Sequence, residues 1–297
     1  FGKSISEFGM IKHKLAEMAI LTFAQESISY RTAGYIDDIL STVDYDSEDA
    51  NEKILKGVQE YAMECAMVKV YCTDMLDQIA DEGVQIHGGY GYSAEYDVER
   101  MYRDSRINRI FEGTNEINRM LSVDMLVRKA MKGELPLMEK AMGLMSELMG
   151  MPSFDMDQDT SLLAEEKKMV ANAKKICIFL AGAGFKKYME KISEEQELLG
   201  MAADLFIETY VMESALLRTL KVAEMEGEDN DRVKLMIDVT KVLLHDSMER
   251  IGTLAKTGLA SFEEGDTLMT MNAALRRLIK HPPVNTVAAR RRIADAV

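Results

Sequence analysis

The segment from Arg103 to Glu116 is where the sequence most clearly offers a group that could transfer a proton. Glu112 stands between the bulky apolar Phe111 and Gly113, at the entrance to a predicted helix. Thr114 could cap that helix. Removal of the carboxylate from water would raise the pKa of Glu112 toward that of a usable base, and a glycine lets a ligand approach closely. The spacing alone also fits, and by itself favours, a carboxylate that interacts only with the helix dipole.

A glycine-rich turn at residues 88–91 is the second candidate for a binding role. Gln85 precedes this turn, and Gly88 and Gly89 begin it. Glycines allow close approach of a ligand to the backbone, but a simple connection between two helices has the same composition. From glycine content alone both interpretations stay open.

Overall charge and composition exclude several classes of function. The chain has 297 residues and a formal net charge of -14, which argues against nucleic acid as a partner because phosphate binding needs a cationic surface. Three cysteines without CxxC spacing and four scattered histidines predict no metal site. The longest apolar runs are too short to cross a bilayer, so we expect no membrane span.

The elements that must position these residues are all predicted to be helices. Only four prolines occur, and apolar residues recur at intervals of three and four. We predict an antiparallel helical bundle at 1–131, a linker at 132–160 and a second helical domain at 161–297. The expected helices run to about 34, for about 30 residues beyond 47, and over about 97–103, 114–131, 161–192, 195–226, 230–258 and 264–280.

Three ordered motifs make the sequence resemble the acyl-CoA dehydrogenase family. Arg103-Asp104 and Phe111-Glu112-Gly113-Thr114 are similar to the Arg-Asp and Tyr/Phe-Glu-Gly-Thr of its C-terminal helical domain. The stretch from Gln85 to Tyr92 resembles the family's Gln-x-x-Gly-Gly-x-Gly-Phe/Tyr turn, and Phe1-Gly2-Lys3 resembles the end of its Arg-x-x-Phe-Gly-(Lys/Arg) signature. The resemblance therefore covers residues 1–131 in detail.

The resemblance implies a flavin-dependent desaturation. In the family, FAD accepts a hydride from the thioester β-carbon while a glutamate removes the α-proton. By position Glu112 is that base, and Phe111 and Gly113 contact the substrate. The residues implied to contact FAD are Phe1, Gln85, Gly88, Gly89, Thr114, Asn115 and Glu116. Gln85 and the two turn glycines would contact the FAD of a neighbouring subunit, which makes oligomerisation part of the expected function.

Residues beyond Gly133 match the layout of the very-long-chain branch, which has an added C-terminal helical domain. Gly9 follows Phe8 where many family members have a glutamine that contacts the flavin, and this branch shares the departure. The likeness implies long-chain acyl-CoA as substrate, fatty-acid β-oxidation, a homodimer and electron-transfer flavoprotein as acceptor. The expected location is the cytoplasm in a bacterium and the mitochondrial matrix in a eukaryote.

Two basic segments near the end of the sequence leave two interpretations open. Residues 276–280 and 290–292 could contact anionic lipid at a membrane surface. The favoured alternative is a solvated charged end or a packing contact with the missing domains.

The first residue is Phe1 rather than Met, so we expect an excised piece whose site is shared with upstream domains. Alone, the chain is then expected to be inactive and free of flavin. The alternative function is a non-catalytic helical scaffold derived from the same family, which would have no need of Glu112.

Overall fold

The computed structural model describes residues 2–149 and 159–297, and every regular element within these ranges is helical. The predicted all-α class is confirmed. Phe1 and residues 150–158 lie outside the described residues, and so does the implied flavin contact of Phe1. In the described part, the α-helices are α1 (Gly9–Leu40), α2 (Ala50–Glu60), α3 (Ala62–His87), α4 (Asp97–Ile107), α5 (Asn115–Met131), α6 (Leu137–Met149), α7 (Ala164–Tyr188), α8 (Gln196–Glu226), α9 (Asp231–Ala260), α10 (Gly265–Leu278) and α11 (Thr286–Ala296). Short 3-10 helices occur at Ile5–Glu7, Gly88–Tyr92 and Met189–Glu194.

The first bundle is built from α1, α3, α4 and α5, with α3 in contact with each of the other three. Apolar residues four positions apart along α1 lie on one face of the helix and are buried. The buried residues on these helices are Ala16, Ile20, Ala24 and Ile28 of α1, Ala66, Met67, Val70 and Tyr71 of α3, and Val123 of α5. Packing against α1 therefore fixes α3, which forms the floor under the Glu112 loop.

The predicted 30-residue helix after residue 47 is wrong in one respect, because it is two helices that meet at Tyr61. The ring of Tyr61 stacks on that of Tyr35, with 5.4 Å between the ring centroids. Gly57 lies against Ile39, and a Cβ on Gly57 would be 2.5 Å from that side chain. These contacts with α1 fix the direction of α2 separately from that of α3.

Helices α7 to α10 form the second region, and one hydrophobic core runs through both regions. Helix α8 contacts α1, α3 and α5, so the second region lies directly against the bundle. Helix α6, within the predicted linker at 132–160, packs on α7. The division into two domains joined by that linker remains a proposal.

The arginines of the last basic segment make contacts inside the chain. Arg290, on α11, is buried and pairs with Glu17 of α1 and Asp246 of α9. Arg292 binds Asp238 through two hydrogen bonds of 2.6 and 2.7 Å. These contacts lie within the chain, so the predicted packing of this segment against missing domains stays a prediction, and so does its contact with a membrane surface. None of the described helices has the length and apolar character needed to span a membrane.

Candidate functional site

The Glu112 loop, residues 108–114, connects α4 to α5 through two successive residues in the left-handed region. Glu112 has φ 56° and Gly113 has φ 80°. The left-handed conformation costs a residue with a side chain about 1 to 2 kcal/mol. Such strain persists only where the surrounding structure over-determines it, and it is concentrated at functional sites. The conformation of Glu112 therefore needs anchors on either side.

Two side chains anchor this loop by the carbonyl oxygen of Gly113. Lys69 Nζ and Asn118 Nδ2 each donate to it at 2.8 Å. A Cβ on Gly113 would lie 3.1 Å from Asn118 Nδ2. The close approach of a ligand at Gly113 stays a prediction, and within the chain both Asn118 and the positive φ favour glycine at this position.

Thr114 caps α5 as predicted. Its Oγ1 accepts a hydrogen bond from the backbone N–H of Ile117 at 3.4 Å. Glu116, in the first turn, is exposed, and its pKa is lowered by its own backbone N–H and by the hydroxyl of Thr114. An ionised carboxylate therefore lies at the N-terminal end of α5.

Asn115 is buried, and its side chain is turned toward α3 rather than toward the surface. Its Oδ1 accepts from Lys69 Nζ at 2.6 Å, and its Nδ2 donates to Asp74 Oδ1 at 2.8 Å. Both ends of the side-chain amide thus bind protein groups, and the predicted flavin contact of Asn115 stays a prediction. Asn115 instead holds the start of α5 against α3.

Glu112 and Phe111 are exposed, so the desolvation predicted for the Glu112 carboxyl is not provided by the described chain. Beside Glu112, Phe111 is 48% exposed and Ile110 is 49% exposed. Further large apolar residues exposed along α4 and α5 are Met101, Tyr102, Ile107, Ile117 and Leu121. A low-dielectric environment for Glu112 therefore requires another surface to cover this apolar face.

The glycine turn begins at the C-terminus of α3. Gln85, Gly88 and Gly89 are exposed, and a Cβ at either glycine would meet nothing within 4 Å. Gly91, which was not among the predicted contacts, is the buried one, and a Cβ there would be 2.5 Å from the carbonyl oxygen of Val84. From Asp74 to Gln85 the helical rise is about 16 Å, so the structure does not bring this turn into one site with the Glu112 loop.

Sequence reasoning missed the charged residues that support the loop. Asp74 accepts hydrogen bonds or ion pairs from Asn115 Nδ2 at 2.8 Å, Arg109 Nε at 3.0 Å and Arg119 Nη2 at 2.9 Å. Asn115 and Arg119 lie 41 and 45 residues from Asp74 along the chain, so no local motif signals these contacts. Among the residues that the structure describes, no group of histidines, cysteines and carboxylates could hold a metal ion.

Comparison with known proteins connects this loop to a family. Two family models, both described as acyl-CoA dehydrogenase, C-terminal domain, match residues 1–126 and 172–277. A probable acyl-CoA dehydrogenase from Bacillus subtilis (strain 168) is 43% identical over 100% of this chain and 49% of its own length. The very long-chain specific acyl-CoA dehydrogenase of Mus musculus is 30% identical over 73% of this chain and 33% of its own length.

A solved structure has nearly the same fold. The crystal structure of an acyl-CoA dehydrogenase complexed with FAD from Bacillus anthracis superposes with a TM-score of 0.94 at 44% identity, over 100% of this chain and 50% of that one. The chain thus spans half, or less than half, of the length of these relatives.

Proposed function

This chain belongs to the acyl-CoA dehydrogenase family, and we propose that it supplies the catalytic base, Glu112, of a longer FAD-dependent enzyme. The reaction is the α,β-desaturation of long-chain acyl-CoA in fatty-acid β-oxidation. The observation that carries the proposal is the left-handed backbone of Glu112, held beside Gly113 on an exposed apolar face. A scaffold gives no reason to maintain a charged residue in a costly conformation at that place.

The role of Glu112 is to accept the α-proton of the thioester. A base must lie within hydrogen-bond reach of the proton that it removes, and its pKa must be near the working pH. Lys69 and Asn118 support the positioning of the base, because their hydrogen bonds hold the carbonyl of Gly113, the residue after Glu112. A covering apolar surface provides the second, because burial raises the pKa of a carboxyl group.

The exposed residues near α5 and in the glycine turn suit different parts of FAD. The dipole at the N-terminus of this helix favours an anion or a polar ligand group, although the N–H groups of Asn115 and Ile117 already bind Arg109 and Thr114. Glu116 would repel a phosphate, so its ionised carboxylate fits a ribose hydroxyl instead. Gln85, Gly88 and Gly89 stand free on the surface, as contacts to a flavin held by another subunit require. When bound, FAD accepts the hydride from the β-carbon.

Substrate length and partners follow from the same proposal. The apolar residues around Phe111 suit an acyl chain, and the similarity to a very long-chain specific enzyme extends over 73% of this chain. A homodimer would bring the glycine turn of one subunit to the flavin of the other. Electron-transfer flavoprotein is the proposed acceptor of the reducing equivalents.

The test is the Glu112→Gln variant of the full-length protein, which keeps the size of the side chain but cannot accept the proton. We expect bound flavin to be retained and its reduction by acyl-CoA to fall by at least about a thousandfold, since removal of a positioned base costs several orders of magnitude. The control is Glu134→Gln, which changes an exposed carboxylate beyond α5. Flavin reduction at the normal rate in Glu112→Gln would refute the assignment.

A further inference from the structure

Helix α8 of the second region reaches the Glu112 loop through a chain of charged side chains. Asp204, on α8, accepts a hydrogen bond from Arg119 Nε at 2.7 Å. The same guanidinium binds Asp74 Oδ2 through Nη2 at 2.9 Å. Arg119 thus joins an acidic residue of the second region to one beneath the loop.

Asp74 in turn holds both ends of the loop with its other oxygen. Oδ1 of Asp74 faces Arg109 Nε at 3.0 Å and accepts from Asn115 Nδ2 at 2.8 Å. The backbone N–H of Asn115 donates to the carbonyl oxygen of Arg109 at 3.1 Å, which closes the loop at its base. From Asn115 the connection continues to Lys69 and to the carbonyl of Gly113, the residue after Glu112.

We propose that Asp204 is a positioning residue for the proposed base, so that the second helical region sets the orientation of the Glu112 loop by way of Arg119 and Asp74. The inference rests on the proposed function where it names Glu112 as the base. It assigns to this region a role in the reaction in addition to its contribution to the core.

The geometry supports an effect of Asp204 on the loop that passes through Arg119, rather than a contact that only joins the two regions. Arg119 has two partners and divides its N–H groups between them, so loss of Asp204 leaves the guanidinium free to turn about Asp74. Charge-assisted hydrogen bonds of this kind are about twice as strong as neutral ones and are directional. A change in Arg119 therefore alters how Asp74 faces Arg109 and Asn115.

Asp204 can be replaced without leaving a deeply buried charge. Its side chain is 35% exposed on the wall of a cavity of about 550 Å³ between α3, α5, α8 and α9. Burial raises the pKa of Asp204, while Arg119 opposes that change. Asp204→Asn keeps the shape and removes the charge, and Arg119 retains Asp74 as a partner.

The matched control is Glu208→Gln, about one turn further along α8. Glu208 binds Arg250 of α9 through hydrogen bonds of 2.8 and 3.1 Å and lines the same cavity. This variant also removes an ion pair from α8, but the pair joins α8 to α9, and Glu208 acts on Asp204 through its charge rather than through a hydrogen bond to Arg119.

Two measurements on the full-length protein separate positioning from stability. Hydrogen exchange of the amides at 109–118 should be about tenfold faster in Asp204→Asn and unchanged in Glu208→Gln, because exchange reports local opening. The kcat of Asp204→Asn should fall about tenfold, since a small displacement of a base from its productive position is costly. KM should stay constant, the isotope effect with α-deuterated acyl-CoA should rise, and Asp204→Glu should restore part of kcat.

Each outcome decides between the alternatives. Normal exchange at 109–118 in Asp204→Asn, or equal acceleration in Glu208→Gln, would overturn the role of Asp204. So would a kcat and isotope effect equal to those of the wild type. If the wild-type protein itself shows no flavin reduction by acyl-CoA, the proposed function fails, and the exchange comparison still decides whether Asp204 holds the loop.

Discussion

At the scale of single residues, the direction of the Glu112 carboxylate depends on the backbone that follows it. Gly113 combines a φ of 80° with a close neighbour, Asn118, where other exposed glycines of positive φ have open space. The backbone carbonyl that this conformation presents receives both Lys69 and Asn118. A side chain at position 113 would therefore disturb the anchors as well as the dihedral angles.

Gly113→Ala should lower the free energy of unfolding by more than the about 1 to 2 kcal/mol that the left-handed backbone alone costs an alanine. Gly133→Ala is the matched control, because Gly133 has φ 76° but nothing within 4 Å of the added Cβ. Urea denaturation of both variants measures the difference. Equal losses of unfolding free energy in the two variants would mean that the Asn118 side chain moves aside without destabilising the protein.

His245 gives the stability of the chain a dependence on pH. This buried side chain lies edge-on to His281 with 4.7 Å between the ring centroids, and its pKa is lowered by burial and then by the charge of His281. Glu249 opposes that shift and Lys241 adds to it. The unfolded chain binds the proton more readily, so stability is complete above the unfolded pKa of about 6.5 and falls as pH drops below it.

We expect the free energy of unfolding to be lower at mildly acidic than at neutral pH, and the difference to shrink in His245→Gln. Denaturation at several pH values provides the measurement. His13, an exposed histidine of α1, serves as the control position. An unchanged pH dependence in His245→Gln would assign the effect to other groups.

The role of a residue could be predicted from the sequence only where the residues of a motif follow one another along the chain. Glu112 and Thr114 follow one another in sequence, and the cap at Thr114 is confirmed. Asp74, Lys69 and Asn118 could not be found in this way, because a charged residue at a helical position looks the same whether it faces solvent or a loop. The inward orientation of Asn115 could not be predicted for the same reason, since it depends on α3.

At the scale of elements, α11 shows how a helix can depend on its tertiary contacts. It has few apolar positions and three consecutive arginines, at 290–292, so its sequence resembles a charged tail. Ala289 and Ile293 are nevertheless buried four residues apart, and Arg290 lies between Glu17 and Asp246. These partners are far away in sequence, which is why only the structure identifies the helix.

Arg290→Gln should lower the free energy of unfolding by about 3 kcal/mol, because two partly buried carboxylates lose their shared partner. The neighbouring Arg291 is exposed, and Arg291→Gln should stay within about 0.5 kcal/mol of the wild type. Chemical denaturation of the two variants makes the comparison. A small effect of Arg290→Gln would mean that α11 is held by its apolar contacts alone.

Helix α6 could have been predicted. Ala141, Leu144 and Leu148 recur at intervals of three and four and are buried, and Pro136 precedes the helix, a position that suits proline. The close approach of α6 to α7 uses Gly182, where a Cβ would be 2.3 Å from that of Ala141. The break at Tyr61 carried no such signal, since it arises from contacts with α1.

At the scale of the whole molecule, the exposed apolar face around Phe111 indicates that the site is incomplete in this chain. The relatives are about twice as long as the chain or longer. Large apolar residues that are exposed next to one another, as Ile110 and Phe111 are, mark an interaction site in soluble proteins. The chain covers 49% of the Bacillus subtilis relative and 50% of the Bacillus anthracis structure, so about half of the length of each relative has no counterpart here. Fold class was predictable from helical periodicity, whereas no cover over Glu112 is provided by residues 2–149 and 159–297, which the structure describes.

The purified 297-residue chain should therefore fold but lack flavin absorbance and acyl-CoA dehydrogenase activity. Its core is closed by α7 to α11, which supports folding, while Glu112 stays in water, where the carboxyl is a weak base for an α-proton. We expect the chain to bind a hydrophobic dye more strongly than the full-length protein does, and Phe111→Ser to reduce that binding. Helical circular dichroism confirms folding of each sample. Flavin that co-purifies with the isolated chain in stoichiometric amount would contradict this prediction, because it would mean that the residues around α5 and the glycine turn hold FAD without a covering surface.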